Sequence, residues 1–261
     1  MSDSCYRFTH AITRKPSSSV VEGLRAVDTG APNFEQMQQD HDAYTETLRE
    51  AGAIIHELPA LENFPDSVFV EDAALCLSKG AVLMRPGAAT RRGEVEHMKA
   101  TLESLYTDVR EINNGFIEGG DILITGTEIL VGRSERTDAA GVAELKQLVE
   151  DWGYSVREVI TPEGVLHFKT DCSLLDPNTV LCTKRLATSG CFESYNVIFT
   201  AEGEEAAANA IRFNDYVMMP AGFPKTASLL QKEGYLVKQI NNTECAKVDG
   251  GMSCLSLRLP L

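Results

Sequence analysis

The sequence predicts an α/β fold in which a unit of roughly 50 residues is repeated five times around a ring. Two observations support it. A helical segment followed by a short β-rich strand recurs along the chain, and each time a second strand opens with polar residues. The strands that follow the helices start near residues 53, 108, 154 and 235, so the first gaps are about 50 residues and the last is near 80. Five units fit the 261 residues, which indicates one domain over 1–261.

The first two units show the repeated order of helix and strands most clearly. A helix is predicted over 33–52, with Asn33 as its cap and Gly52 as its stop. The strand AIIHELP follows, and then the polar-ended strand DSVFVEDAALCL over 66–77. In the second unit a helix over 91–106 leads to the strand DVREIN and then to FIEGGDILITG. Both units therefore have the same order of elements.

The remaining units repeat that order with one degenerate copy. The third has a helix over 138–153, then YSVREVI and GVLHFKTDCSLL. The last has a helix over 223–234, then YLVKQIN and DGGMSCLSLRL. A degenerate fourth unit fills the gap of about 80 residues, with a strand over 195–200 and a hairpin over 209–222.

Composition excludes several classes of protein. With 24 basic against 38 acidic residues, the net charge of −14 argues against a general nucleic-acid binder. It is compatible with a small cationic substrate, although many soluble enzymes are acidic for solubility alone. No apolar run reaches the roughly 20 residues of a membrane span, and the N-terminus lacks a secretory signal. The seven cysteines have no CxxC spacing, so we expect reduced thiols in a cytoplasmic protein.

A ring of five units would bring the polar openings of the second strands to one central channel. The first unit contributes Asp66, Glu71 and Asp72, the second contributes Glu118 and Asp121, and later units contribute His167 and Cys254. Solvent-facing polar residues on alternating strands are the simpler explanation. Convergence is favoured because residue types with complementary chemistry recur at one place in the unit.

The chemistry of these residues indicates a cysteine nucleophile that acts on a cation. Cys254 follows two glycines, and His167 can stabilise a thiolate or act as a base, although each alone is often a core residue. Nearby carboxylates raise the pKa of a thiol, but they suit a guanidinium, which they bind in a fork. A metal site or a glycosidase acid–base pair is less favoured, since no HxH or HxxxH spacing occurs and aromatic residues are few.

Two arginines are candidates for holding a substrate carboxylate. Arg91 and Arg136 each follow a predicted strand and precede a helix. The alternatives are a first-turn ion pair of Arg136 with Asp138 and a solvated helix start at Arg91, where positive charge is disfavoured.

Seven motifs in order carry a resemblance to a known family. They are FPDSVFVEDAAL, RPGAATRRGE, IEGGDIL, GRSERTDAAG, VLHFKT, MMPAGFPKT and KVDGGMSC. Together they resemble the bacterial dimethylarginine dimethylaminohydrolases, within the pentein superfamily of guanidino-modifying enzymes. The resemblance covers essentially the whole chain and implies a five-bladed α/β propeller.

The resemblance also implies roles for individual residues. Cys254 matches the nucleophile, His167 the general acid and base, and Glu118 the acid that orients the histidine. The implied substrate contacts are Asp72 with Glu71 beside it for the guanidinium, Asp66 near the α-amine, Arg91 and Arg136 on the α-carboxylate, and backbone groups of Leu24 and Val248.

The implied reaction converts asymmetric dimethylarginine, or monomethylarginine, to citrulline and the corresponding amine through a covalent intermediate on Cys254. It needs no cofactor and no metal, and its partner is a small cationic guanidino amino acid. An arginine deiminase-like enzyme is the nearest alternative, and a non-catalytic pentein binding module is the distant one. The sequence leaves a homodimer open.

Overall fold

The protein is a ring of five small three-stranded sheets. The computed structural model describes residues 5–261. In every sheet an inner strand pairs antiparallel with a middle strand, and the middle strand pairs parallel with an outer strand. The five-bladed α/β propeller is therefore confirmed.

The elements are numbered along the chain. The first three sheets contain β1 (His10–Arg14), β2 (Ile54–Leu58), β3 (Ala74–Cys76), β4 (Ala81–Leu83), β5 (Val109–Glu111), β6 (Ile122–Ile124), β7 (Ile129–Arg133) and β8 (Val156–Ile160), together with the C-terminal β15 (Leu257–Leu259). The last two contain β9 (Cys172–Asp176), β10 (Thr179–Cys182), β11 (Asn196–Phe199), β12 (Ile211–Phe213), β13 (Tyr216–Pro220) and β14 (Leu236–Ile240). The helices are α1 (Phe34–Glu50), α2 (Glu96–Leu105), α3 (Ala139–Glu150), α4 (Lys184–Ala187), α5 (Pro224–Lys232) and α6 (Thr243–Ala246).

The helices α1 to α5 each join the middle strand of a blade to its outer strand. Parallel neighbours require such a crossover, because a tight turn can only join antiparallel strands. The structure confirms the two helix N-termini predicted at Asn33 and Asp138. Their side chains accept hydrogen bonds from the backbone amides of Gln36 (2.9 Å) and Gly141 (2.8 Å). At the other end of α1, Gly52 has a φ of +95°, a conformation that favours glycine.

The ring is closed by the C-terminus. Strand β15 pairs antiparallel with β1, with Leu257 opposite Ile12, so the first blade contains both ends of the chain. The repeating unit is therefore inner strand, middle strand, helix and outer strand, and the predicted unit, which began at the helix, was offset from the blades. The offset arose because the first blade takes its inner strand from the far end of the sequence.

The predicted polar-ended strands are shorter than expected. Each inner strand is preceded by a 3₁₀ turn, at 70–73, 119–121, 168–170, 205–208 and 253–255. The strand predicted over 66–77 is thus a turn followed by β3, and the helix predicted over 91–106 begins as a 3₁₀ segment at 89–94. In the order 253–255, 70–73, 119–121, 168–170 and 205–208, each turn contacts the next around the axis.

The hydrophobic core lies in the wedges between neighbouring blades. In one wedge Leu83 packs with Leu257 and with Met98 of α2, and in another Val217 packs with Leu181 and with Leu230 of α5. The blades are held by these separate clusters, which leaves the central axis free for polar groups. None of the helices in residues 5–261 is long and apolar enough to cross a membrane.

Candidate active site

A cleft of about 380 Å³ lies at one end of the ring, where the 3₁₀ turns meet. Its walls include eight of the ten residues predicted from the sequence: Leu24, Asp66, Asp72, Arg91, Arg136, His167, Val248 and Cys254. The polar residues lie in or beside turns from different blades, so the fold brings together side chains that are far apart in sequence. This arrangement agrees with the predicted convergence.

Cys254 lies in the turn 253–255, and its thiol is buried at the base of the cleft. The Gly251 amide donates to Sγ at 3.4 Å. Burial, with the charges of Glu71 and Asp72, raises the pKa of Cys254 to about 12, against the stabilising Gly251 amide. The resting sulfur is therefore a neutral thiol, which needs added positive charge to become a nucleophile.

The two glycines before Cys254 allow close packing. A Cβ at Gly250 would lie 2.3 Å from the Phe69 ring, and one at Gly251 would lie 2.1 Å from the Asn209 amide. The side chain of Asn209 in turn accepts the amide of Ser253 at 2.9 Å. These contacts fix the turn that presents the thiol.

His167 and Glu118 form a close pair beside the thiol. The Nε2 of His167 lies 2.7 Å from Oε2 of Glu118, whose side chain is fully buried. Burial opposes the imidazolium, but the charges of Asp121, Asp72 and Glu118 outweigh it and raise the pKa of His167 to about 9. Burial likewise opposes the Glu118 carboxylate, but His167 and nearby arginines lower its pKa to about 2. The pair is thus an imidazolium on a carboxylate at neutral pH.

Asp121 was expected at the central channel but was given no role, and its charge acts strongly on His167. It is fully buried and accepts hydrogen bonds from the hydroxyls of Ser134 (2.7 Å) and Thr137 (2.6 Å) and from the Phe168 amide (2.8 Å). Its position three residues after Glu118 in the EGGD motif was the available signal.

Asp72 is anchored on one oxygen and paired with a cation on the other. The Gly120 amide donates to Oδ1 at 2.9 Å, and Nη1 of Arg91 donates to Oδ2 at 2.5 Å. A Cβ at Gly120 would lie 2.9 Å from both Asp72 and Nδ1 of His167. Glycine is therefore required here for the histidine and the carboxylate to come together.

Arg91 lies deeper than expected for a clamp on a substrate carboxylate. Its side chain is buried, and it donates to Glu94, to Asp72 and to the carbonyls of Asp66 and Phe69. Only one Nη1 hydrogen of the guanidinium is left for a ligand. Glu94 was also missed by the sequence reasoning, although it follows Arg91 at the i+3 spacing of an ion pair.

The outer part of the cleft is suited to an amino-acid group. Asp66 is buried there and accepts the Leu24 amide at 3.0 Å. Arg136 is partly exposed, with Nη1 3.7 Å from Oε1 of Glu118, and Val248 also lines the cleft. An anionic group and a cationic group thus stand at the mouth, as an α-amine and an α-carboxylate would require.

The prediction that Glu71 lies beside Asp72 in the guanidinium site stays a prediction, because Glu71 does not line the cleft although its charge acts on Cys254. Its side chain points to a second, central cavity on the other side of the turn and is not part of the cleft wall. There Lys169 donates to Oε1 of Glu71 at 2.5 Å, and Nη2 of Arg258 donates to the same oxygen. Adjacent residues of a tight turn project in different directions, so the two neighbouring carboxylates line different cavities.

Ligand atoms of Asp72, Glu118 and His167 lie within 4.8 Å of one another, which raises the question of a metal. A histidine must be neutral to bind a cation. With its pKa raised to about 9, His167 is protonated at neutral pH, and its Nε2 is already held by Glu118. The arrangement therefore favours acid–base chemistry.

Comparison with known proteins gives consistent results. Residues 59–217 match the family model described as arginine deiminase. An N(G),N(G)-dimethylarginine dimethylaminohydrolase of Pseudomonas aeruginosa is 40% identical over 253 residues, with 96% of this chain and 99% of the relative covered.

Solved structures extend this similarity. A cysteine-to-serine mutant of the Pseudomonas aeruginosa enzyme, complexed with citrulline, aligns with a TM-score of 0.94 at 39% identity, covering 97% of this chain and all of the other. A histidine-to-glycine variant of dimethylarginine dimethylaminohydrolase, an adduct with S-methyl-L-thiocitrulline, aligns with the same TM-score, identity and coverage.

Proposed function

This chain belongs to the dimethylarginine dimethylaminohydrolase family, and we propose that it hydrolyses asymmetric Nω-dimethylarginine to citrulline and dimethylamine. One observation carries the proposal: a buried thiol, the Asp72 carboxylate and an imidazolium held by the buried Glu118 meet at one cleft. The corresponding reaction of monomethylarginine releases methylamine.

The substrate is held at both ends. Its guanidinium binds Asp72, because a carboxylate matches the N–H fork of a planar guanidinium. Its α-carboxylate binds Arg136, with the one unused Nη1 hydrogen of Arg91 as a second donor. Its α-amine binds near Asp66, where backbone groups of Leu24 and Val248 complete the contact.

The first chemical step forms a covalent intermediate. The arriving guanidinium offsets the negative charges that raise the pKa of Cys254, so the thiol loses its proton to solvent. The thiolate attacks the central guanidino carbon and forms a C–S bond. The imidazolium of His167 then protonates the dimethylamino nitrogen, the C–N bond breaks, and neutral dimethylamine leaves. A cationic thiouronium remains on Cys254.

The second step uses the same histidine in the opposite direction. Now neutral, His167 takes a proton from water as the water oxygen attacks the thiouronium carbon. The C–S bond breaks, the sulfur leaves as a thiolate, and the hydroxyl proton is lost to give citrulline. Glu118 stabilises the imidazolium that forms in this step, as its 2.7 Å contact supports.

We also propose that residues 1–261 act as one catalytic domain in the cytoplasm. Pairing of β15 with β1 closes the ring from the two ends of the chain, which supports a single unit. Cys76, Cys172, Cys182, Cys191, Cys245 and Cys254 carry free thiols, as a reducing compartment would maintain them.

Citrulline formation by the purified protein tests the proposal. We expect citrulline from asymmetric dimethylarginine, much less from arginine, and none from Cys254→Ser. Cys191→Ser is the matched control, because Cys191 is buried outside the cleft and should keep full activity. Citrulline mainly from arginine would indicate a deiminase instead. Undiminished turnover by Cys254→Ser would reject the covalent route.

A further inference from the structure

A buried ion cluster behind the cleft contains one arginine and two carboxylates. Arg91 donates to Glu94 from Nε, at 3.1 and 3.2 Å, and from Nη2, at 2.8 Å. Its Nη1 donates to Asp72 at 2.5 Å. The side chains of all three residues are no more than 5% exposed. Charges this deep need partners within the protein, because water cannot compensate them.

The two carboxylates have different surroundings. Asp72 faces the cleft, whereas Glu94 is not part of the cleft wall. The side-chain hydrogen bonds of Glu94 all come from Arg91, through two of the three guanidinium nitrogens. Asp72 accepts hydrogen bonds from the third guanidinium nitrogen, Nη1 of Arg91, and from the backbone amide of Gly120. Among residues 5–261, Arg91 is therefore the hydrogen-bonded counter-ion of Glu94.

We propose that Glu94 is a positioning residue for cation recognition: it neutralises Arg91, so that Asp72 keeps its negative charge for the substrate guanidinium. The inference rests on the proposed function and deepens it. Without the charge of Glu94, Asp72 would be the main counter-ion of Arg91. An incoming guanidinium would then compete with the protein's own guanidinium for one carboxylate.

This role predicts different effects on a cationic and a neutral ligand, whereas a purely structural role predicts the same effect on both. Dimethylarginine and citrulline share the amino-acid end, but the first has a cationic guanidinium and the second a neutral ureido group. Loss of the Glu94 charge should weaken binding of the cation far more than binding of the neutral ligand. A general loosening of the segment 89–94 would weaken both alike.

Glu94→Gln is the sharpest variant, because it keeps the shape and removes the charge. We expect the KM for dimethylarginine to rise roughly 10–100-fold, the range for one charged contact. The inhibition constant of citrulline and kcat should stay within about threefold of wild type. Glu94→Asp, which keeps the charge, should restore much of the KM. Glu96→Gln, at an exposed position at the start of α2, is the matched control and should have no effect.

Binding can also be measured without turnover. In a Cys254→Ser background, calorimetry gives the affinities of dimethylarginine and citrulline directly, with and without Glu94→Gln. A fall in the dimethylarginine affinity alone supports the inference. Equal losses for both ligands, or no loss, would overturn it. Failure of the wild-type protein to form citrulline from dimethylarginine would instead reject the proposed function, and the two failures are thus distinguishable.

A measurement on the unaltered protein covers the case in which Glu94→Gln does not fold. The groups that face Glu94 are Arg91, Asp66, Asp72 and Arg14. Burial raises the pKa of Glu94 to about 7, against the pull of Arg91. Protonation below pH 7 should therefore raise the KM for dimethylarginine severalfold relative to the inhibition constant of citrulline. A ratio that stays constant from pH 8 to pH 6 would contradict the inference.

Discussion

Glu71 and Asp72 are neighbours in one 3₁₀ turn, yet they line different cavities. Asp72 lines the cleft that contains Cys254 and His167. Glu71 points into the central cavity, where both Lys169 and Arg258 donate to its Oε1. Identical chemistry, one residue apart, thus meets two different electrostatic environments.

The difference lies in the cations that pair with each carboxylate. Two cations of the protein bind Oε1 of Glu71, although its charge still acts on Cys254. Asp72 shares its paired guanidinium, that of Arg91, with Glu94, and it also faces His167. Exposure does not distinguish them, since both are almost fully buried. The balance of charge around each carboxylate does.

The largest expected effect is on catalysis by Asp72→Asn. Losing one partner of a buried ion pair costs about 3–5 kcal/mol, so kcat/KM for dimethylarginine should fall on the order of a thousandfold. Glu71→Gln should lower kcat/KM by less than about tenfold, because the side chain lies outside the cleft. Steady-state citrulline assays on both variants make the comparison. Equal losses would mean that both carboxylates bind the guanidinium.

The second effect is the pH dependence of the cleft. In the resting enzyme Cys254 and His167 are both protonated, as a neutral thiol and an imidazolium, because their pKa values are raised to about 12 and about 9. The reactive state has one proton fewer. Therefore kcat/KM should rise about tenfold per pH unit from pH 6.5 and level off near pH 9. A rate that falls between pH 7 and pH 9 would contradict these protonation states.

The third effect is on stability, and it concerns Glu71. Glu71→Gln leaves Lys169 and Arg258 without their shared anion, which should lower the free energy of unfolding by about 3–5 kcal/mol. Glu50→Gln is the matched control. Glu50 pairs with Lys238 at 3.1 Å on the surface, so its loss should cost about 0.5 kcal/mol or less. Urea unfolding of both variants measures the difference, and equal costs would refute a structural role for Glu71.

The sequence was sufficient for features that depend on local signals. Caps and periodicity located α1 and α3, and turn residues located the hairpin of β12 and β13. The offset of the repeat was not predictable in this way, because β15 pairs with β1 from the far end of the sequence. Long-range pairing leaves no local pattern.

The same limit applies to the cleft. Residue type and spacing selected most of its lining, and the resemblance to a known family suggested their roles. Neither could show that Glu71 pairs with Lys169 or that Glu94 holds Arg91, because both depend on side-chain direction within tight turns. The position of Asp121 was predicted, but its action on His167 was not, since its hydroxyl and amide partners have no distinctive pattern in the sequence.

Intact-protein mass spectrometry of acid-quenched turnover mixtures tests the role of Cys254 most directly. A covalent route through this thiol predicts a protein species heavier by the mass of dimethylarginine less dimethylamine. Peptide mapping should place the added mass on Cys254, in the wild type and in Cys191→Ser but not in Cys254→Ser. Steady citrulline production with no such species, or with the added mass on another cysteine, would contradict it.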